Sequence, residues 1–203
     1  MNWIKEYVSK IDSGEIKVSK KVDIIYHRLL KEMEDESLPF LFDEEKGERP
    51  IIFIEKFCKQ AEGQLGAPIV LELFQKAFLQ ALFGFVYKDT GFRKFKEALF
   101  LVGRKNGKTT LLAGIVLYML IADGEGAAEC YCVATKKDQA GKTFKSACDM
   151  RSQSPEISAL TKKRRSDIYM PLTLSKFEAL ASEADTLDSL NAHLVVIDEL
   201  HAI

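Results

Sequence analysis

The segment between Ala98 and Ile121 joins an apolar run, a tight basic loop and an apolar helical pattern. Glycine at 107 lets the backbone approach an anion closely, and consecutive N–H groups at a helix N-terminus bind phosphate oxygens. Lys108 can reach the β- and γ-phosphates of a nucleotide, and the Thr109 hydroxyl is a hard oxygen ligand that suits Mg²⁺. The segment therefore predicts a nucleotide site made of Gly103, Arg104, Lys105, Asn106, Gly107, Lys108, Thr109 and Thr110.

The match to the general phosphate-loop pattern is imperfect. That pattern has its first glycine at the position of Val102, whereas here the glycine comes one residue later, at Gly103. A basic turn followed by a helix is the alternative interpretation of the loop.

Two acids follow an apolar strand pattern much further along the chain. His193–Ile197 is nearly all apolar and leads into Asp198 and Glu199. Carboxylates at the carboxyl ends of parallel strands lie where open α/β sheets bind their ligands. Asp198 is therefore expected to hold Mg²⁺, and Glu199 to polarise the water that attacks the γ-phosphate. A solvated strand end is the alternative.

The elements that position these residues fall into two regions. Residues 1–66 predict a helical region, with one helix stopped by Gly14, a second capped by Ser19 and a third beginning at Pro50. The acidic stretches at 32–36 and 43–48 are interpreted as solvated loops.

Residues 67–203 predict an α/β domain, because apolar strands alternate with helices there. The expected strands are Ala98–Val102, Glu129–Ala134, Ile168–Leu174 and His193–Ile197, and the expected helices are Phe74–Phe85, a helix ending at Ile121, and Asp138–Met150. Such alternation indicates a mostly parallel sheet with helices on both faces.

Composition excludes several classes of protein. Lys and Arg total 29 against 30 for Asp and Glu, so the net charge of −1 indicates no partner, and nucleic-acid binding would depend on local basic patches such as 162–165. The apolar run Leu111–Ala122 is too short to cross a bilayer, and the N-terminus does not resemble a signal peptide, so we expect a cytoplasmic protein without membrane contact. Cys130 and Cys132 are expected to share one face of a strand as buried, reduced thiols.

Several segments together resemble the large terminase subunit of tailed bacteriophages, of the HK97-like kind. They are the loop Arg104–Thr109 with its flanking strand, Leu73–Gln75 with Phe83–Phe85, Ala134–Ala140, Thr186–Asn191 and Ile197–Ala202. The resemblance extends over about residues 67–203.

The resemblance implies an ASCE-type P-loop ATPase that hydrolyses ATP with Mg²⁺ to package viral DNA. It implies that Gln75 recognises the adenine edge, that Lys108 and Thr109 take phosphates and metal, that Asp198 takes metal and Glu199 the water, and that Arg104 stabilises γ-phosphate charge. It also implies partners: double-stranded DNA, a small terminase subunit, a portal protein and a homo-oligomeric ring, in the cytoplasm of a bacterial host.

The family continues beyond Glu199 with a coupling strand and a nuclease domain that do not fit in this sequence. We therefore expect an incomplete sheet and a weak or inactive isolated ATPase of marginal stability. A helicase-type DNA translocase is an alternative, because Asp198–His201 resembles a helicase box, although Arg104–Asn106 favours the packaging motor. A non-catalytic fragment whose N-terminal helices dock on a partner is a third possibility.

Overall fold

The computed structural model describes residues 1–134, 137–181 and 190–198. The chain forms two compact units: Met1–Ile52 with Val70–Leu101, and Phe53–Ile69 with Val102–Ile203. The boundary between residues 66 and 67 that the sequence suggests stays a prediction.

The first unit is built from helices and one short hairpin. Its elements are α1 (Trp3–Asp12), α2 (Lys20–Glu34), β1 (Phe40–Phe42), the first part of α3 (Glu44–Phe57), α4 (Leu73–Gly84) and β2 (Phe85–Tyr87), with β1 and β2 antiparallel. Ser19 caps α2 by accepting a hydrogen bond from the Val22 amide at 3.3 Å, and Gly14 has a φ of +77° just after α1. The predicted first two helices are therefore confirmed, because both have local start and stop signals.

Helix α3 begins six residues earlier than the sequence suggested. Asp43 accepts a hydrogen bond from the Lys46 amide at 2.9 Å, and Glu44 and Glu45 lie in the first turn, where negative charge is favourable. Pro50 therefore lies inside the helix, and its prediction as a helix start is wrong. The two acidic stretches are also not simply loops, since Glu32 lies on α2 and Glu44 on α3.

A buried glutamine joins α1 to α4. Gln80 is fully buried, and its Oε1 accepts hydrogen bonds from the amides of Trp3 at 2.7 Å and Ile4 at 3.2 Å. Its Nε2 donates to the Met1 carbonyl at 2.8 Å. These two amides belong to the first turn of α1, where helix geometry supplies no acceptor. Gln80 therefore acts as a tertiary cap for α1.

Replacing Gln80 with leucine is expected to lower the free energy of unfolding of the first unit by about 2–3 kcal/mol, because buried amides lose their acceptor. Urea unfolding followed by the fluorescence of Trp3, the one tryptophan of the chain, measures this. Gln64→Leu, at an exposed position, is the matched control and is expected to stay within about 0.5 kcal/mol of the parent. Equal midpoints for the two variants would contradict the capping role.

The second unit contains a five-stranded sheet in the order β4-β5-β6-β3-β7. The strands are β3 (Glu129–Ala134), β4 (Lys162–Lys163), β5 (Asp167–Met170), β6 (Ser175–Ala181) and β7 (Ala192–Ile197). The β6-β3-β7 part is parallel, whereas β4-β5-β6 is antiparallel. The sheet is therefore mixed, because the stretch predicted as one strand over 168–174 turns back at residues 171–174 into β6.

The described helices of this unit are α5 (Lys108–Ile121), α6 (Lys137–Gln153) and α7 (Pro155–Leu160). Helices α5 and α6 contact each other as well as β3 and β6, so both lie on one face of the sheet. Phe53 and Ile54 pack on α5, where a Cβ added at Gly114 would lie 3.0 Å from the Ile54 side chain. Helix α5 is therefore apolar almost all round, and the sheet is flanked by helices as the sequence predicted.

The predicted strand Ala98–Val102 does not form. Its residues carry no strand pairing, and Leu99 and Leu101 are 76% and 88% exposed, respectively. Strand β7 pairs with β3 and, within the described ranges, is an edge of the sheet. An apolar run alone does not make a strand, since the extended backbone needs a hydrogen-bonded neighbour.

Candidate nucleotide site

The loop before α5 has a backbone shape suited to anions. Gly107 precedes the helix with φ +69° and ψ +17°, a left-handed conformation that glycine adopts without steric cost. Lys105 also has a positive φ, of +65°. Left-handed residues within a turn point successive N–H groups into a concavity, which is the geometry that binds phosphate oxygens. The loop thus opens onto the N-terminus of a 14-residue helix that has no side-chain cap.

Asn106 braces this loop from within. Its Nδ2 donates hydrogen bonds to the carbonyl of Gly103 at 3.1 Å and to that of Arg104 at 3.2 Å. These bonds hold two carbonyls toward the amide and so limit the conformations of the loop.

Asn106→Ala is expected to weaken Mg·ATP binding by roughly threefold to tenfold, because ordering the loop then costs free energy that two hydrogen bonds now supply. Titration with a fluorescent ATP analogue measures the Kd. Thermal unfolding of the same variant should be nearly unchanged, since the side chain is exposed. An unaltered Kd would show that the brace has no part in binding.

The acidic end of β7 lies directly beside the loop lysine. Strand β7 ends at Ile197, and the next residue, Asp198, places Oδ1 2.6 Å from Nζ of Lys108. The Asp198 side chain is 12% exposed and that of Lys108 35% exposed. Residues far apart in the sequence are therefore brought together at the carboxyl end of a parallel strand.

The carboxylate of Asp198 has a second neighbour on α6. The Thr143 hydroxyl donates to Oδ2 at 3.4 Å, and Thr143 is 1% exposed. Asp198 Oδ1 is buried, and the Lys108 ammonium at 2.6 Å is its ion-pair partner in the described part of the chain. A buried carboxylate oxygen of this kind is a suitable ligand for a hard cation such as Mg²⁺.

The remaining candidate residues are placed as follows. Gly103, Arg104 and Lys105 are exposed in the loop, Thr109 is half-buried in the first turn of α5, and Thr110 beside it is exposed. Glu199 lies outside the described residues, as do Thr135 and Thr186–Ser189 of the resembling segments.

Gln75 belongs to the first unit, at the start of α4. It is 6% exposed, and its Oε1 accepts a hydrogen bond from the Glu72 amide at 3.0 Å. This bond makes Gln75 part of the cap of α4, a role that the sequence interpretation did not include.

The two cysteines of β3 lie on one face of the sheet, as the alternation of side chains requires. Both are buried, and burial raises the pKa of each thiol to about 12. Both thiols are free, with no disulfide, as the sequence predicted.

Sequence reasoning did not identify Thr143. An isolated threonine on a polar helix carries no motif, and only the packing of α6 against β3 brings it to Asp198. The signal that sequence could offer is a polar residue on the face of α6 that packs against the sheet.

The structure combines a mixed α/β sheet with a Gly-Lys-Thr loop that leads into α5, and Asp198 at the end of β7 contacts the lysine of that loop. This arrangement is typical of the nucleotide-binding class of α/β proteins. Residues 73–203 match the family described as terminase large subunit, ATPase domain, and the chain belongs to that family. Membership implies nucleotide binding and ATPase activity.

The large terminase of phage HK97 agrees with this assignment both in sequence and in structure. The large terminase subunit of Enterobacteria phage HK97 is 35% identical over 159 residues, which cover 76% of this chain and 30% of the relative. The crystal structure of the HK97 bacteriophage large terminase matches with a TM-score of 0.63 and 29% identity, over 75% of this chain and 30% of that one. The chain thus spans about 30% of the length of this relative.

Proposed function

We propose that this chain is the ATPase motor portion of a phage DNA-packaging terminase, which hydrolyses ATP to move double-stranded viral DNA into the prohead. The observation that carries the proposal is the 2.6 Å contact between Lys108 and Asp198 beside the phosphate-binding loop. In this proposal the Lys108 ammonium leaves Asp198 to bind the β- and γ-phosphates, while the loop amides bind the remaining oxygens.

Mg²⁺ fits the residues at the site. The buried Oδ1 of Asp198 and the hydroxyl of Thr109 are the oxygen ligands that would hold it, and the ion would neutralise charge on the phosphates when bound. Glu199, the residue after Asp198, is proposed to orient the attacking water. Arg104, exposed in the loop, is proposed to bind the γ-phosphate, since a guanidinium stays charged and can bind two oxygens.

The direct test is to measure ATP binding by the purified chain with titration calorimetry, once in the presence of Mg²⁺ and once in EDTA. Saturable, magnesium-dependent binding at one site is expected. Absence of binding would overturn the proposal and leave a non-catalytic interaction fragment as the better explanation. The adenine role of Gln75 predicts that ATP binds more tightly than GTP.

A basic hairpin supports DNA as the partner. Residues 162–165 are Lys-Lys-Arg-Arg, all exposed, on the edge strand β4 and the turn that leads into β5. Arg164 is held in place by the buried Asp167, to which its Nε donates at 2.7 Å, and by the Tyr169 ring 4.0 Å away. Four exposed positive charges at the edge of the described sheet suit a phosphate backbone, whose binding needs no base-specific contact.

The double substitution of Lys162 and Arg165 by alanine is expected to weaken duplex binding and to reduce the slope of log K against log salt by about 1.8, or roughly 0.9 per lost phosphate contact. The matched control is Lys20→Ala with Lys21→Ala, which removes the same charge from an exposed helix start. Binding isotherms by fluorescence anisotropy at several salt concentrations measure both slopes. Equal slopes for the two double variants would exclude the hairpin.

A small terminase subunit, a portal protein and a ring of copies are proposed as partners from family membership, with a bacterial cytoplasm as the location. None of the described helices is long and apolar enough to span a membrane. The helicase-type alternative depends on residues 198–201, of which the structure describes Asp198.

A further inference from the structure

We propose that Thr143 is a positioning residue that orients the Asp198 carboxylate for its metal, an inference that rests on the proposed nucleotide site. The two residues come from separate elements, α6 and the end of β7. Their contact is between the Thr143 hydroxyl and Oδ2 of Asp198, at 3.4 Å.

The two oxygens of Asp198 have different neighbours. Lys108, from α5, contacts Oδ1, and Thr143, from α6, contacts Oδ2. A contact to either oxygen restricts the rotation of the carboxylate about χ2, and contacts from two directions restrict it most. When the lysine contact is removed, the hydrogen bond from Thr143 is the contact among the described residues that still restricts this rotation.

Thr143 is well suited to hold a fixed orientation. It is 1% exposed, so close-packed neighbours limit the movement of its side chain. Helix α6 packs against both α5 and β3, so the hydroxyl is carried by a buried surface rather than by a loop.

Because Lys108 and Thr143 contact different oxygens of Asp198, the Thr143 hydrogen bond can persist when a metal ion binds the other oxygen. When Lys108 binds phosphate, Oδ1 becomes available to a cation, while the hydrogen bond to Oδ2 continues to direct it. Groups that hydrogen-bond a ligating carboxylate affect metal affinity through orientation without touching the metal. Thr143 therefore acts through Asp198.

The test compares Thr143→Val, which keeps the shape and removes the hydroxyl, with Thr143→Ser, which keeps the hydroxyl. Thr143→Val is expected to raise the Mg²⁺ concentration that gives half-maximal ATP binding by about tenfold, within the range seen for such partners. ATP affinity in EDTA and the thermal midpoint should change little. Thr143→Ser should restore most of the magnesium affinity. Ser146→Ala, which removes a hydroxyl from the same helix, is the control and should behave as the parent.

A second measurement does not need nucleotide. The ¹³Cγ resonance of Asp198 in the metal-free chain, assigned by its loss in Asp198→Asn, should shift in Thr143→Val and not in Ser146→Ala. The inference is overturned if Thr143→Val changes neither the resonance nor the magnesium requirement. It is also overturned if Thr143→Val weakens ATP binding equally with Mg²⁺ and in EDTA, because that result indicates a structural role. If the parent chain binds no Mg·ATP while the resonance does shift, the proposed function fails and the contact between Thr143 and Asp198 stands.

Discussion

Replacing Lys108 with alanine is expected to weaken Mg·ATP binding by roughly tenfold to a hundredfold, because a charge-assisted hydrogen bond to phosphate contributes about 1.5–3 kcal/mol. Lys108 lies at the first position of α5, and its ammonium contacts Asp198 at the end of β7. ATP affinity from calorimetry is the measurement.

Two features keep this test specific. Lys145→Ala is the control, because Lys145 lies on α6, is 77% exposed and pairs with Asp149 at 2.5 Å. The Lys108 variant also leaves the buried Asp198 without its cation, so a small loss of thermal stability is expected alongside the binding defect. Parent-like ATP affinity in the Lys108 variant would remove the loop from the binding site.

Substituting Asp198 with asparagine is expected to have two opposite effects. Binding in the presence of Mg²⁺ should weaken by at least tenfold, because an amide is a poorer ligand than a carboxylate for a hard cation. ATP binding in EDTA should strengthen by severalfold for two reasons. The triphosphate no longer competes with the Asp198 carboxylate for Lys108, and the negative charge of that carboxylate no longer repels it. The ratio of the two affinities should therefore fall toward one.

Calorimetric titrations of Asp198→Asn with and without EDTA measure this ratio. Asp149→Asn removes the same charge from an exposed ion pair on α6 and should leave both affinities unchanged. A variant that weakens ATP binding equally in both conditions would indicate damage to the fold rather than loss of a metal ligand.

The expected competition between Asp198 and phosphate for Lys108 rests on one contact. Lys108 has one ammonium group, and in the structure it contacts Oδ1. In the proposed function, phosphate draws the Lys108 ammonium away from Oδ1, and this buried carboxylate oxygen then becomes available to a metal ion. Under this proposal one lysine couples the entry of phosphate to the availability of the metal ligand.

Local signals were enough for much of the chain. The bounds of α1, α2 and β3 follow from periodicity, a capping serine and an apolar run with flanking turns. The start of helix α3 was predicted wrongly because proline is common at the first position of a helix, and Pro50 was taken as that position. In the structure the helix begins at Glu44, where Asp43 accepts a hydrogen bond from the Lys46 amide. Propensity rules do not say which of two such local signals starts the helix.

The sequence by itself was enough for the family and for the acid that follows β7, since both depend on residue type and order within short stretches, while the phosphate chemistry of the loop stays a prediction from the same residues. Tertiary structure alone decided that Ala98–Val102 is not a strand, that β5 and β6 form a hairpin, and that Gln80 and Thr143 satisfy groups on distant elements. The physical reason is that a strand needs a paired neighbour and a buried hydroxyl or amide needs a partner within about 3.5 Å, and neither requirement is written in local sequence.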